Sequence, residues 1–255
     1  MTLVYLIRHG ESEANSGTGV AGDSPLSARG IAQAERLRDR LAETREIAGD
    51  VLITSPLQRA LRTAEILAPA LGLPLTLEPE LVERRVGVAF GVHVDDVRAR
   101  WPQPDYVADP GAAWAPDAET PITFQARVSR ELARLLELHR GKTVVMVCHA
   151  GVISAAMLFF QGLDTVMAAL GTAYPLPQHR HLVGRPWLPA YATRNTSITR
   201  WRFTSATERR PAVWYLDAYN DSAHLSGMDP SSIPIRRRTP PPAPTPTSTP
   251  PVSRM

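Results

Sequence analysis

The sequence predicts an α/β fold: three layers, α/β/α, around a mainly parallel central sheet with an antiparallel edge strand. Three observations carry this. Short apolar runs alternate with stretches whose apolar residues recur at helical spacing. The runs show no polar alternation, as expected of strands covered on both faces. Near the carboxyl end, two strand-like segments follow one another without an intervening helix, which suggests an antiparallel edge.

The first run, Leu3-Val4-Tyr5-Leu6-Ile7, leads directly into Arg8-His9-Gly10. Its carboxyl end is where an open α/β sheet presents ligand groups. Residues 16–25 form a small-residue loop in which Gly17, Gly19 and Gly22 make a G-x-G-x-x-G pattern. That pattern fails as a dinucleotide fingerprint, because Asp23-Ser24-Pro25 follows where a helix should open. A mobile loop at the mouth of a site is expected instead. Ser27 reads as an N-cap for a helix through Ile31, Ala34, Leu37 and Leu41.

Val51-Leu52-Ile53 is the second strand. Thr54-Ser55-Pro56 then opens a helix through Leu57, Ala60, Leu61, Ala64 and Leu67, with Pro56 near its first turn and Gly72 closing it. Leu75-Thr76-Leu77 is the third strand. Residues 80–91 show no clear period, residues 95–101 suggest a short helix, and residues 102–119 are a proline- and acid-rich loop. Thr120-Pro121 starts a long helix through Val128, Leu132, Leu135, Leu136 and Leu138 that ends at Gly141. Thr143-Val144-Val145-Met146-Val147-Cys148 is the fourth strand, and residues 151–160 are helical.

The pattern then loosens. Residues 171–194 contain Pro175, Pro177, Pro186 and Pro189, with Arg185 and the basic cluster Gln178-His179-Arg180-His181. Residues 196–203 read as a half-exposed strand and residues 212–216 as its partner. From residue 227 the chain passes through Arg236-Arg237-Arg238 into a Pro-, Thr- and Ser-rich stretch. Such a segment buries too little surface to order itself and is expected to be a disordered tail over 227–255.

Composition narrows the function classes. The 255 residues suit one medium domain with an appendage. The net charge of +3, without a basic helix or basic-aromatic alternation, argues against a nucleic-acid partner. No apolar run approaches the length of a membrane span, and no signal peptide is read, so no membrane partner and a cytoplasmic location are expected. The single cysteine, Cys148, excludes an internal disulfide. An arginine six positions after a cysteine would mark a cysteine-phosphatase loop; that position holds Ser154, so Cys148 is expected to be a buried strand residue. No oligomeric state is set by the sequence, and a dimer is compatible with it.

Four segments place chemistry-bearing residues just beyond strand ends. Arg8 and His9 follow the first strand, Arg59 stands in the first turn after the second, Glu83 follows the third, and His149 follows the fourth. Strand carboxyl ends and helix amino termini converge on one edge of such a sheet. Two arginines, two histidines and one glutamate are therefore expected to face one cleft. Taken singly, each has a structural reading: Arg59 as a solvated helix residue, Glu83 as a surface ion-pair partner of Arg84 and Arg85, His149 as a core histidine.

These motifs, in this order, resemble the histidine phosphatase superfamily, also called the phosphoglycerate mutase-like family, and the match covers roughly residues 3–217. Arg8-His9-Gly10-Glu11 with Asn15 resembles the family's opening signature. Asp23, Pro25-Leu26-Ser27, Gly30 and Gln33-Ala34 fit the segment after it. Ser55-Pro56-Leu57-Gln58-Arg59-Ala60 with Thr63-Ala64 matches the second arginine motif, and Leu81-Val82-Glu83 with Gly87 and Gly91 the acid-bearing loop. Val147-Cys148-His149-Ala150-Gly151-Val152-Ile153 matches the second histidine motif. Asn195-Thr196-Ser197-Ile198 is similar to the start of the family's late strand. There are departures. Ala14 replaces a frequent tryptophan, Gly87-Val88-Ala89-Phe90-Gly91 replaces Gly-Glu-Trp-Glu-Gly, and Ala118-Glu119-Thr120 replaces Gly-Glu-Ser.

The resemblance implies a phosphoglycerate mutase-like fold and a catalytic domain over residues 1–226. It implies hydrolysis of a small phosphate monoester through a phosphohistidine on His9. Arg8, Arg59 and His149 would hold the phosphate with Asn15 assisting, and Glu83 would act as general acid and base. No metal or cofactor is expected, since the arginines supply positive charge; the H-x-H of His179 and His181 lacks further ligands. A phosphoglycerate mutase is the alternative, weakened because residues 102–119 contain Tyr106 but no arginine. A non-catalytic phospho-ligand binder is the third reading, against which stands the retention of all five chemical positions. The loop at 171–194 has two readings: it reads a second anionic group on the substrate, or it is a solvated surface loop.

Overall fold

The computed structural model describes residues 1–106, 109, 111–163, 192–207 and 211–228. Strand β1 (Thr2–Arg8) is followed by the short helix α1 (Glu13–Ser16) and by α2 (Ala28–Thr44). Then come β2 (Val51–Thr54), α3 (Gln58–Leu71), β3 (Leu75–Leu77) and α4 (Val94–Arg100). Helix α5 (Pro121–Leu138), β4 (Thr143–Cys148) and α6 (Ala150–Phe160) complete the parallel part. Strands β5 (Ile198–Thr204) and β6 (Val213–Asp221) follow. One six-stranded sheet runs β3-β2-β4-β1-β5-β6. β1, β2, β3 and β4 pair in parallel; β5 lies antiparallel to β1, and β6 antiparallel to β5. Both late strands thus form the antiparallel side.

The three layers follow from the two-residue repeat of the strands. Tyr5, Ile7, Leu52, Val145 and Val147 face one way and pack with Leu37 and Leu41 of α2 and Ala60, Ala64 and Leu67 of α3. Val4, Leu6, Ile53, Val144 and Met146 face the other way and meet Val128, Leu132 and Leu135 of α5 and Val152, Ala156 and Phe160 of α6. A smaller cluster of Ala21, Ala89, Val97 and Ala115 joins residues 17–25 to residues 86–118.

Local rules account for the element ends. Ser27 caps α2 by accepting the Gly30 N–H, and Gly72 ends α3 in the left-handed region at φ 67°. Thr120 and Thr123 form a capping box at the start of α5. Pro56 lies one residue before the N-cap Leu57, near the first turn of α3 as expected; Leu57 offers no side-chain cap, and Asp23 Oδ1 accepts the Gln58 N–H at 2.8 Å. Two expectations change. β6 runs on to Asp221, past the expected end at residue 216, because Asp217 is neutralised in the sheet by Arg202 at 3.0 Å. The loop over 16–25 is hydrogen-bonded rather than free: Ala21 N–H donates to Val92 O, Gly91 N–H to Ala21 O and Val94 N–H to Gly19 O.

Cys148 is fully buried, and burial pushes its thiol well above the ordinary range, as suits an inert strand residue. Residues 229–255, which hold most of the expected tail with Arg236-Arg237-Arg238, lie outside the described residues, as do His179, Arg180, His181 and Arg185 of the 171–194 segment. Among the described residues no helix is long and apolar enough to cross a membrane.

Candidate active site

The register of β1 on β4 builds the centre of the site. Arg8 pairs with Cys148, and the His9 N–H donates to Cys148 O at 3.0 Å. His9 and His149 therefore emerge side by side at adjacent strand ends, with ring centroids 5.1 Å apart. Both are buried, at 3% and 0% exposure. Gly10 is required by close approach: a Cβ there would overlap the carbonyl of Gly30 in α2.

Hydrogen bonds assign the tautomer of His9. Its Nδ1–H donates to Gly10 O at 2.6 Å, which leaves the Nε2 lone pair to accept from Arg59 Nε at 3.2 Å. Ser55 Oγ accepts the Leu57 N–H at 3.3 Å and is hydrogen-bonded to His149 Nε2 at 2.8 Å. His149 Nδ1 is buried without a partner among the described residues. Burial, joined by the charges of Arg59 and Arg8, holds His9 well below the ordinary histidine range, against a smaller opposing effect of the Gly10 carbonyl. Burial likewise holds His149 down, helped by Arg59, His9, Arg8 and Arg127. Both rings are neutral at neutral pH.

Arg59 sits in the first turn of α3, 7% exposed, and its Nη1 is anchored on Gly22 O at 2.8 Å. Thr63, one turn on, accepts the Gly10 N–H at 3.0 Å and donates to Arg59 O at 2.7 Å. It ties the helix start to the His9 turn. Arg8 donates from Nη1 to Thr193 O, while its Nε is buried without a partner among the described residues. Burial lowers the affinity of both arginines for their protons; Glu83 opposes this in each, Arg59 adds to it for Arg8, and Asp23 opposes it for Arg59. Both remain cations, as guanidinium groups do.

Glu83 reaches the same edge from the loop after β3. Its Oε2 accepts the Gly151 N–H at 2.9 Å and its Oε1 accepts the Arg84 N–H at 3.0 Å. The carboxylate thus lies on the first turn of α6, directly after His149. Gly151 makes room for it, since a Cβ there would overlap Oε1.

Arg8, His9, Arg59, Glu83 and His149 are brought together by the fold. Asn15 is not joined to them by a hydrogen bond: it is exposed in α1, and its Oδ1 accepts the Ser12 N–H at 3.3 Å in a capping box. Glu11 is also structural, its N–H donating to Gln33 Oε1 and its Oε1 accepting from Ser27 Oγ, both at 2.8 Å.

The roles of several contributors need the fold. Asn195 Nδ2 donates to His9 O at 3.0 Å, and Thr196 N–H donates to Arg8 O at 2.9 Å from a left-handed backbone at φ 56°. Ser55 and Thr63 lie inside a recognised motif, but their roles need the fold. Arg127 left one signal: it stands on the apolar stripe of α5 with Phe124, Val128, Glu131, Leu132 and Leu135, all buried. Among the described residues no group of three His, Cys, Asp or Glu side chains forms a metal-binding cluster.

Comparison with known proteins agrees with this geometry. The profile of the histidine phosphatase superfamily (branch 1) matches residues 4–169. The Bacillus subtilis (strain 168) protein described as "Uncharacterized phosphatase PhoE" is 30% identical over 230 residues, covering 89% of this chain and 99% of that protein. The Salmonella arizonae protein described as "Probable phosphoglycerate mutase GpmB" is 33% identical over 230 residues, covering 88% of this chain and 95% of that one. The structure of Bacillus stearothermophilus YhfR superposes with a TM-score of 0.63 at 27% identity, covering 88% of this chain and all of that one.

Proposed function

We propose that this chain, which belongs to the histidine phosphatase superfamily, hydrolyses small phosphate monoesters through a phosphohistidine on His9. The observation that carries the reading is the His9 tautomer. Nδ1–H is committed to Gly10 O, and the Nε2 lone pair stands beside Arg59 in a pocket that keeps the ring neutral.

The chemistry then follows from the residues. The phosphate dianion needs cationic and N–H donors around its oxygens. Arg8, Arg59 and His149, with its proton on Nδ1, supply them; Arg8 Nε and His149 Nδ1 have no partner among the described residues. His9 Nε2 attacks phosphorus, an N–P bond forms, and the bond to the leaving oxygen breaks. Glu83, protonated at that moment, gives its proton to the departing alkoxide. In the second half the Glu83 carboxylate takes a proton from water as that water attacks phosphorus. The N–P bond breaks, and phosphate leaves with His9 neutral again.

The likeness to GpmB favours a second reading, in which the phosphoryl group returns to another hydroxyl of a phosphoglycerate. Residues 102–119 offer no arginine for a doubly anionic substrate, which favours water as acceptor.

A rapid-quench experiment with phosphorus-labelled substrate tests the proposal. Label should stay on the protein under alkaline quench and leave it under acid, and it should be absent from His9→Ala. Labelled protein from His9→Ala would overturn the assignment. Incubation with 3-phosphoglycerate separates the readings: free phosphate supports the phosphatase, 2-phosphoglycerate the mutase.

A further inference from the structure

The segment that carries Glu83 has no regular structure between a 3-10 turn at Pro79–Leu81 and another at Gly87–Ala89. It is held from α5. Arg127 is only 4% exposed. Its Nη1 donates to Glu80 O at 2.6 Å and to Val82 O at 3.2 Å, and its Nη2 to Glu83 O at 3.4 Å. Nε and Nη2 also donate to the two oxygens of Glu119, each at 2.7 Å. Glu119 closes the arrangement by accepting the Arg85 N–H at 2.8 Å and donating its own N–H to Arg85 O at 2.9 Å.

One buried ion pair therefore binds the carbonyls of residues 80, 82 and 83 and both backbone groups of residue 85. Burial alone would raise the Glu119 carboxyl, yet Arg127 and the Arg85 N–H hold it below its ordinary value, so the pair is ionised. A flat fork of five N–H groups suits this task; a lysine ammonium does not. Among the described residues every hydrogen bond of this guanidinium goes to residues 80–83 and 119. None goes to the phosphate-binding groups.

We infer that Arg127 and Glu119 are positioning residues for Glu83, which fix the loop so that its carboxyl meets the leaving oxygen. This rests on the reading of Glu83 as the acid. An acid held out of place penalises leaving groups that need a proton and spares those that do not. An alkyl phosphate needs one; p-nitrophenyl phosphate departs as a stabilised phenolate.

The test measures kcat/KM on both substrates for Arg127→Gln, Glu119→Gln and Glu83→Gln, and for the double variants with Glu83→Gln. Removing one member of a buried ion pair can prevent folding. Glu119→Gln keeps the shape and an acceptor for the Arg85 N–H and is measured beside Arg127→Gln, each with its melting curve. Arg130→Ala is the control: it is exposed on the same helix and 4.0 Å from Glu80. The single variants at 127 and 119 should lose about 10- to 100-fold on the alkyl phosphate and less than about threefold on p-nitrophenyl phosphate. In the Glu83→Gln background they should cost less than about threefold on either substrate, because non-additivity marks residues that act through one another. Equal losses on both substrates, or a loss undiminished without Glu83, would overturn the inference and make the pair a support of the fold. If Glu83→Gln alone costs no more on the alkyl phosphate than on p-nitrophenyl phosphate, the acid assignment itself fails, whatever Arg127 does.

Discussion

Arg59 Nε stands 3.2 Å from His9 Nε2. The lone pair that would attack phosphorus thus accepts a hydrogen bond from a group that would bind the phosphate. A substrate must exchange that bond, taking the Arg59 donor onto a phosphate oxygen and freeing Nε2 in the same movement. The arginine holds the ring in aim until then. Arg59→Lys keeps a charge but loses the fork that also reaches Gly22 O. Its kcat should fall about 10²- to 10³-fold, as for loss of one transition-state donor. An unchanged kcat would remove Arg59 from the reaction.

Gly151→Ala separates stability from chemistry. Alanine is the better helix former, by about 1 kcal/mol. The new methyl would overlap only the far end of the Glu83 side chain, which can swing away. The melting temperature should therefore hold or rise, while turnover of an alkyl phosphate falls and that of p-nitrophenyl phosphate falls less. Full activity in the variant would show that Glu83 works from elsewhere.

Gly10→Ala should behave in the opposite way. Its Cβ would meet backbone, the carbonyl of Gly30, which is fixed inside α2. Overpacking of this kind costs about 1–3 kcal/mol. A lower midpoint in urea with an unchanged m-value is the expected reading, accompanied by loss of activity as the His9 turn shifts.

Stability should fall on the acid side for a reason that can be traced. His224 Nε2 lies 2.9 Å from Thr196 Oγ1, and burial brings its pKa down to about 4. Arg40 and Arg36 add to that shift, while Asp221 and Glu46 oppose it. The native ring is neutral, whereas the unfolded one takes a proton at about 6.5. The unfolded chain thus binds more protons between those values. Stability is complete above this window and is lost as pH falls through it. His9 and His149 are shifted the same way and act with the same sign. His224→Gln should make the drop in melting temperature between pH 7 and pH 5 shallower. An unaltered slope would place the effect on His9, His149 and His139, which is also held below the ordinary histidine range by burial.

The charge scheme makes no use of a metal. Turnover should survive EDTA, and added zinc or magnesium should not raise it. Loss on chelation with recovery on adding a metal would require a different account of how the phosphate charge is met.

Much of the architecture was legible because it rests on local rules. The apolar runs at Leu3 and Val144 fixed the central strands, Ser27 and Gly72 fixed two helix ends, and strand ends located the chemical residues. What was not legible depends on contacts across the chain. Asp23 caps a helix 35 positions away, as the spacing to Gln58 shows. Asn195 steadies the His9 carbonyl across 186 positions. No periodicity reports such pairs. Asn15 Oδ1 closes its own helix turn by accepting the Ser12 N–H, a local bond that its motif does not report. Arg127 and Glu131 were readable as charges on an apolar helix stripe, a conflict between pattern and residue that marks a buried ionic role.

The parallel pairing of β1 with β4 sets a parity rule for the whole site. His9 and His149 lie 140 positions apart in the chain, yet each is the next residue beyond a matched pair, Arg8 with Cys148. Side chains alternate faces, so inserting or deleting one residue in either strand would turn one histidine toward a helix layer while the other stayed. Length changes that keep both histidines in place would have to fall in segments between the strands. A transplant of this chemistry to another scaffold would have to carry the paired strands, not the side chains alone.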